Sequence, residues 1–406
     1  MQSSHLPRES AETFPSRVSF TERPVAPKTT TELDQSRCRI PAYSGPGQSL
    51  ILLILIIISS AGCQQQSEPS LKTSDPSDAA QNTKNEDVNN NQTDSGNPEA
   101  GDQKKIRICL LPKIKGISYF SSCAVGAEEA ARELSNVELI YDGPIDGDAR
   151  RQAEMIEQWT ADGVDAICVA PNAPDVVSNA MKEAQEAGIK VLTWDADGLP
   201  GSRSFFVNQA TARAIGEGMV QAMVNDLGPE TAGDVVIISS DATSANQNAW
   251  IDVMKPALEM TKLKLQTIKF PGENSSNALA DAQDVIRKYP NLKGIFGISS
   301  VAFPGAAEAV LQAGKSGQIL VTGLSTPNDM KSFVESGTVR SFVLWNTIDL
   351  GYLTVHAAEA LVRGRLKPGD TTLKAGRLGA KTIAGDNILL GDIIVFTRDN
   401  ISQYDF

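Results

Sequence analysis

The sequence has few of the residues that metal sites and nucleophilic catalysis most often need. Among 406 residues there are two histidines, His5 and His356. This nearly excludes a histidine-based metal site or a Ser/His/Asp triad, which needs an imidazole held between its partners. We interpret His356 as a packed or surface residue of a predicted helix. The sequence therefore predicts a protein that is not an enzyme and holds no metal or cofactor.

The five cysteines do not have the spacing of a disulfide framework. Cys38 and Cys63 precede the part of the chain that has the pattern of a folded domain. The remaining three, Cys109, Cys123 and Cys168, are an odd number and widely spaced. We expect these three to be small buried residues.

Positive charge is also scarce. Lysine and arginine total 37 against 49 aspartates and glutamates, so the formal net charge is -12. Binding to nucleic acid depends on neutralising phosphates with basic residues. We therefore expect no nucleic-acid partner, and a purely anionic ligand is disfavoured unless a local pocket overrides the net charge.

The motifs of phosphate, dinucleotide and hydrolase sites are incomplete. Gly314-Lys315-Ser316 resembles the end of a phosphate loop, but Ala309 stands where the upstream glycine is needed. Gly216-Glu217-Gly218 lacks the third glycine of a dinucleotide fingerprint, because Gln221 occupies that position. The chain has no Gly-x-Ser-x-Gly motif. These failures also argue against an enzyme on this scaffold.

The apolar run from Leu50 to Ile58 is too short to span a bilayer, which takes about 20 residues. It has the length of a signal-peptide core, and the small residues 59–62 lead from it to Cys63. This pattern resembles the lipobox of bacterial lipoproteins, in which the cysteine is lipidated and becomes the new N-terminus. We predict a leader and signal peptide over residues 1–63, lipidation at Cys63, and a lipid-anchored location in the periplasm or cell envelope.

Residues 64–103 consist largely of Gln, Asn, Ser, Asp, Pro and Thr. With almost no large apolar side chain, the segment cannot bury enough surface to offset the entropy of ordering. We predict a disordered polar tether, which would let a folded domain stand off the membrane.

From residue 105 onward, short β-branched runs alternate with longer segments of helical periodicity. The predicted strands are 106–111, 137–141, 166–170, 191–194, 204–207, 235–239, 265–270, 294–298, 319–324 and 341–345. The predicted helices are 123–134, 151–161, 176–187, 210–227, 245–261, 275–289, 302–313, 327–336 and 348–362. The alternation predicts an α/β fold with two doubly wound parallel-sheet lobes, and the break between the two series falls near Asn208.

Polar and aromatic side chains follow the predicted strands, where parallel sheets bind their ligands. Asn, Gln, Asp and Lys supply the donors and acceptors that sugar hydroxyls need, and aromatic rings supply a platform for sugar C–H faces. We expect Phe120, Trp194 and Phe303 to be such platforms. The candidate ligand-binding residues are Lys113, Phe120, Asn172, Trp194, Asp195, Asn246, Gln247, Ser300, Phe303, Trp345 and Asn346.

Several separated strings resemble the type I periplasmic sugar-binding proteins of ABC importers, in the branch that holds the rhamnose-binding proteins and the receptor for the furanosyl autoinducer. The resemblance covers residues 105–406. The strings are Leu110-Leu111-Pro112-Lys113, Tyr141-Asp142-Gly143-Pro144, Val191-Leu192-Thr193-Trp194-Asp195, Val207-Asn208-Gln209, Asn246-Gln247-Asn248 before Trp250, Leu324-Ser325-Thr326-Pro327-Asn328, Leu344-Trp345 and Gln403-Tyr404-Asp405-Phe406.

The resemblance also implies site residues. The autoinducer receptor uses a Lys and an Asp that match Lys113 and Asp195, and an Asp-Gln pair that becomes Asn246-Gln247 here. Its remaining two contacts, a Pro and an Ala, fall near Ile298 and Ser300 and are not retained. These departures favour an ordinary monosaccharide, such as the deoxysugar rhamnose, over the autoinducer.

The same resemblance implies two lobes that are joined by three crossing segments and close on the ligand by hinge bending. We expect crossings near Asn208, Asn346 and residues 381–386, with Asn208 and Asn346 as hinge residues. The N-terminal lobe would comprise residues 104–208 plus 346–385, and the C-terminal lobe residues 209–345 plus 386–406.

The implied function is the solute-binding component of a sugar importer, a monomer that docks on an ABC permease. The alternative is a sensor of a sugar or autoinducer that presents its ligand to a membrane receptor kinase. A transcription repressor shares the lobe pair, but the leader and tether occupy the position of its DNA-binding head.

Overall fold

The computed structural model describes residues 105–406. The predicted leader, the lipidation site Cys63 and the tether lie outside the described residues. Within the described part, no helix combines the length and the apolar character that a bilayer crossing requires.

The elements alternate as the sequence pattern predicts. The strands are β1 Ile106–Leu111, β2 Val137–Tyr141, β3 Ala166–Val169, β4 Lys190–Trp194, β5 Phe205–Asn208, β6 Gly233–Ile238, β7 Leu263–Lys269, β8 Leu292–Gly297, β9 Leu320–Gly323, β10 Ser341–Leu344, β11 Thr372–Lys374, β12 Ala380–Ala384, β13 Asn387–Leu389 and β14 Ile394–Thr397. The helices are α1 Ser118–Leu134, α2 Ala149–Ala161, α3 Pro174–Glu186, α4 Ala212–Leu227, α5 Ala245–Glu259, α6 Ser275–Lys288, α7 Ala302–Gln312, α8 Pro327–Glu335 and α9 Thr347–Val362.

The strands form two separate parallel sheets with additions at their edges. The first sheet has the order β11-β12-β13-β5-β4-β3-β1-β2, and the second has the order β7-β6-β8-β9. In each, strand order reverses beside the first strand of the series, which is the switch point where ligands bind in open α/β sheets. β10 and β14 pair antiparallel next to the second sheet. The predicted fold class, two doubly wound lobes, is confirmed.

Helix packing assigns each element to a lobe. Helices α1 and α9 pack together over β1, β3 and β4, and α2 packs on α3, so these four belong to the first sheet. Helices α4–α7 pack on each other or on β6–β10 of the second sheet, and α8 contacts α7. The chain therefore crosses between the lobes after β5, after β10 and after β13.

The third crossing lies later than the sequence analysis placed it. The strand β13 pairs in parallel with β5, so Asn387–Leu389 belongs to the first sheet and not to the second lobe. The boundary predicted at 385/386 and the crossing predicted at 381–386 are thus too early, and the chain leaves the first lobe after Leu389. Residues 381–386 instead belong to the β12–β13 hairpin.

Candidate functional site

A cavity of about 410 Å³ lies between the lobes at the carboxyl ends of the strands. Each sheet contributes side chains from the loops that follow its strands, because parallel strands present those ends at one edge. The lining residues are Lys113, Ile117, Tyr119, Phe120, Asp195, Asn246, Gln247, Trp250, Glu273, Ile298, Ser299, Ser300, Leu324, Leu344 and Trp345.

Asp195 follows β4 and holds a buried carboxylate at the wall of the cavity. Its φ of 61° is left-handed, a conformation that an Asp side chain tolerates better than most. The side-chain amide of Gln209 donates to the Asp195 carbonyl at 3.0 Å and fixes this turn. Burial raises the pKa of Asp195, while the charge of Lys113 and a hydrogen bond from Tyr119 oppose that shift.

Tyr119 and Trp345 position the carboxylate of Asp195. The Tyr119 hydroxyl donates to Asp195 Oδ1 at 2.7 Å and accepts from Trp345 Nε1 at 3.0 Å. Burial, together with the nearby Asp195 charge, raises the pKa of Tyr119, so the phenol remains a neutral donor. This relay occupies one oxygen of Asp195 and leaves Oδ2 for other partners.

Lys113 connects the two lobes through its ammonium group. Its Nζ donates to Ser244 Oγ at 3.1 Å and to Asn246 Oδ1 at 2.9 Å, both on the second lobe, and lies 3.9 Å from Asp195 Oδ2. A lysine ammonium carries three donors. Two are used across the cleft, and the third is directed to the carboxylate side of the cavity by the Asp195 charge.

Gln247 presents a hydrogen-bond donor to the cavity. Its Oε1 accepts from the hydroxyls of Ser239 and Ser240 at 2.6 and 2.7 Å and from the backbone N–H of Ser240 at 2.9 Å. Three donors on one oxygen fix the amide orientation. The Nε2 group makes no hydrogen bond with the described residues and is available to a ligand oxygen.

Aromatic rings form a continuous chain beside these polar groups. Phe120 packs edge-on against Tyr119 at 5.0 Å between centroids, Tyr119 against Trp345 at 6.1 Å, and Trp345 against Trp250 at 6.2 Å. Edge-to-face contacts of this kind add rigidity beyond simple burial. The cavity thus joins apolar walls to a set of convergent donors and acceptors.

Seven of the eleven predicted binding residues lie at the cavity wall. They are Lys113, Phe120, Asp195, Asn246, Gln247, Ser300 and Trp345. Their role in ligand binding stays a prediction.

The structure does not bring the other four to the wall. Trp194 is fully buried, with Nε1 donating to the carbonyls of Leu111 and Cys168, and Phe303 is buried against Phe342. The Asn172 side chain donates to the Lys113 carbonyl at 2.8 Å and supports that loop from behind. Trp194 is a core residue because successive side chains of a strand point to opposite faces of its sheet. Phe303 lies on the buried face of α7, and Asn172 supports the loop that carries Lys113.

The fourth, Asn346, caps α9 by accepting the Asp349 N–H at 3.1 Å. It lies directly after β10, where the chain crosses between lobes, and Asn208 ends β5 at another crossing. Both predicted hinge residues therefore occupy crossings, and their role in bending stays a prediction.

Tyr119, Trp250 and Glu273 also line the cavity, and none of the three is among the residues predicted from the sequence to bind the ligand. Tyr119 lies in the first turn of α1, four residues before the predicted helix start. Glu273 lies in the loop between β7 and α6. Ligands bind at the carboxyl ends of parallel strands, and a candidate taken from the loop after this strand would have been Glu273. Trp250 lies one helical turn after Asn246 on α5, and that spacing was the available signal.

Two α/β lobes with a cavity between them, lined by convergent polar groups and apolar walls, define a binding protein that holds a small molecule between its lobes. Residues 108–366 match the family model described as periplasmic binding protein domain. The chain belongs to this periplasmic binding protein family, and the resemblance seen in the sequence is confirmed.

Individual relatives are similar in sequence and in fold. The D-ribose/D-allose-binding protein of Pseudomonas aeruginosa is 26% identical over 252 residues, covering 58% of this chain and 76% of that protein. A solute-binding protein of Clostridium phytofermentas with bound L-rhamnose is 28% identical, with a TM-score of 0.69 over 74% of this chain and 98% of that one. LsrB of Clostridium saccharobutylicum in complex with AI-2 is 25% identical, with a TM-score of 0.70 over 74% of this chain and 100% of that one. These relatives are solute-binding proteins and not enzymes.

Proposed function

We propose that this chain is the lipid-anchored, extracytoplasmic solute-binding component of an ABC-type sugar importer, which traps a monosaccharide between its lobes by hinge closure. The observation that best supports this proposal is the cavity itself. In it the Asp195 carboxylate, the Lys113 ammonium and the Gln247 amide converge beside aromatic walls. Carboxylate, ammonium and amide groups together satisfy hydroxyls, which both donate and accept. Polar groups set among apolar walls are the usual lining of a small-molecule site.

The ligand class we favour is a neutral monosaccharide with an apolar edge, such as a rhamnose-like deoxysugar. Ile298, Leu324 and Leu344 give the second lobe an apolar wall that suits a methyl group better than a hydroxyl. The amide of Asn246, where the autoinducer receptor has an acid, leaves one carboxylate fewer for hydroxyls. The relative with bound L-rhamnose supports the same choice.

The apolar run, Cys63 and the polar segment 64–103 support lipid anchoring outside the cytosol. The partner would be an ABC permease, which the closed monomer contacts with both lobes. The second candidate is a sensor of a sugar or autoinducer for a receptor kinase, supported by the Lys113–Asp195 pair that matches the autoinducer receptor.

The test is a thermal-shift panel of L-rhamnose, D-ribose, D-allose and the furanose autoinducer, combined with native mass spectrometry of freshly purified protein. We expect a monosaccharide to raise the melting temperature, since a ligand at 100 times its Kd stabilises by about 2.7 kcal/mol. Stabilisation by the autoinducer alone would favour the sensor. No shift with any of the four, and no retained sugar mass, would contradict a saccharide receptor.

A further inference from the structure

Glu273 occupies the junction of three cavities between the lobes. It lines the central cavity together with Lys113 and Asp195. It also lines an outer pocket with Ser118 and Asp329, and a side pocket with Ser244. The outer pocket is the more open one, so Glu273 separates the central cavity from the cleft mouth.

The Glu273 carboxylate is not fully paired within the described residues. Its Oε2 is buried and makes no hydrogen bond. The cation that faces it, Lys113, already donates to Ser244 and Asn246 and lies beside Asp195. Burial raises the pKa of Glu273, and the charge of Lys113 and a hydrogen bond from the Ser240 side chain oppose the shift.

A buried acceptor without a partner is costly, and most such groups in folded proteins are paired with protein or bound molecules. The other acidic groups that act on Glu273, Asp241 and Asp195, raise its pKa further and offer no hydrogen bond. Glu273 Oε2 therefore has no donor among the described residues, and a hydroxyl that enters the cavity would supply one.

We propose that Glu273 is a specificity-determining residue whose Oε2 accepts a hydrogen bond from a ligand hydroxyl at the mouth end of the cavity. This inference rests on the proposed function, because it takes the ligand to be a monosaccharide. Asp195 and Glu273 then hold hydroxyls at two points of the ring. The recognised sugar carries a hydroxyl at the position that faces the cleft mouth.

The test compares wild type with Glu273→Ala and Glu273→Gln, and uses Glu259→Ala as the control. Glu259 is an exposed acid at the end of α5 and does not line the central cavity. Binding of L-rhamnose, D-ribose and D-allose is measured by calorimetry, followed by the monodeoxy analogues of whichever sugar binds the wild type. Melting curves without ligand verify that each variant folds.

We expect Glu273→Ala to lose about 10- to 100-fold in affinity, which is the effect of a hydrogen bond to a charged group. Glu273→Gln keeps an acceptor oxygen and should retain part of the affinity, and Glu259→Ala should bind like wild type. One monodeoxy analogue should bind the wild type weakly and should lose no further affinity in Glu273→Ala. The missing hydroxyl and the missing carboxylate each remove the same hydrogen bond, so their effects on affinity do not add.

Wild-type affinity in Glu273→Ala would overturn the proposal. The proposal would also be overturned if Glu273→Ala loses affinity but removal of each sugar hydroxyl weakens binding equally in the variant and in the wild type. A general structural defect would give that result. If the wild type binds none of the three sugars, the proposed function fails along with this inference, which separates that result from a failure of Glu273 alone.

Discussion

At the scale of single residues, Asp195 shows how the fold determines the chemistry of a side chain. The turn after β4 holds it at positive φ, and its carboxylate is buried beside Lys113 and Tyr119. A buried carboxylate favours its protonated form. A hydrogen bond from a ligand hydroxyl would therefore stabilise the ionised form of the Asp195 carboxylate in the cavity.

The raised pKa of Asp195 gives the ligand-free protein a defined pH dependence. Between the ordinary Asp value and the raised value, the folded state binds more protons than the unfolded state, so the free energy of unfolding falls as pH rises. We expect Asp195→Asn to remove this decline in denaturant titrations at several pH values. Asp399→Asn, an exposed acid, is the control and should keep the wild-type slope.

The same substitution should weaken ligand binding by about 10- to 100-fold at neutral pH, because it removes a charged acceptor. In wild type, affinity should fall as pH is lowered through the raised pKa, since ligand hydroxyls prefer the ionised carboxylate. Calorimetry with the best sugar of the panel measures both effects. Unchanged affinity in Asp195→Asn would remove Asp195 from the site.

At the scale of elements, hydrophobic periodicity predicted strand and helix positions well where each element carries its own pattern. The bounds of β1 and β2 were predicted as observed, since both strands are short, mostly apolar runs that include β-branched residues. Helix α1 begins at Ser118 and not at the predicted Cys123. The N-cap residue is Ile117, which makes no side-chain capping hydrogen bond, so the sequence lacks the usual signal of a helix start. The strands β11–β14 were not predicted, because they do not belong to the alternation of strands and helices and are defined by pairing with neighbouring strands.

Helices α1 and α9 approach closely because glycines lie at their contact. A Cβ at Gly351 would overlap the backbone carbonyl of Cys123, and a Cβ at Gly126 would overlap that of Ile348. We expect Gly351→Ala to lower the free energy of unfolding by about 1–3 kcal/mol, the range for overpacking. Chemical denaturation measures it, with Ser121→Ala on the exposed face of α1 as control.

Gly351→Ala should also weaken sugar binding, because α1 carries Tyr119 and Phe120 at its first turn. A variant as stable as wild type would contradict the close packing of the two helices.

At the scale of the whole molecule, closure depends on contacts that join the lobes. Lys113 reaches Asn246 across the cavity, and Ser118 Oγ donates to Asp329 Oδ1 at 2.9 Å across the mouth. The aromatic chain through Tyr119, Trp345 and Trp250 also runs from one lobe to the other by way of a crossing segment. The closed arrangement is therefore held at the mouth, in the cavity and at the hinge.

The contact at the mouth should affect how long a ligand stays bound. We expect Ser118→Ala to raise the dissociation rate about 2- to 10-fold, as for loss of one exposed hydrogen bond, with little change in the association rate. Stopped-flow fluorescence measures both rates, and Ser121→Ala is the matched control on the same helix. Equal dissociation rates in the two variants would show that the Ser118–Asp329 bond does not retain the ligand.

The sequence by itself determined the alternation of strands and helices, and hence the two-lobed α/β class, because each element carries its own hydrophobic period. The sequence also determined which loops follow the carboxyl ends of the strands, where parallel sheets bind their ligands. For this reason, seven of the eleven residues predicted to bind the ligand lie at the cavity wall. Only the tertiary structure decided that Trp194 and Phe303 are core and that β13 belongs to the first sheet. The direction of a side chain and the pairing of a short edge strand depend on neighbours that are distant in sequence, and no local pattern encodes them.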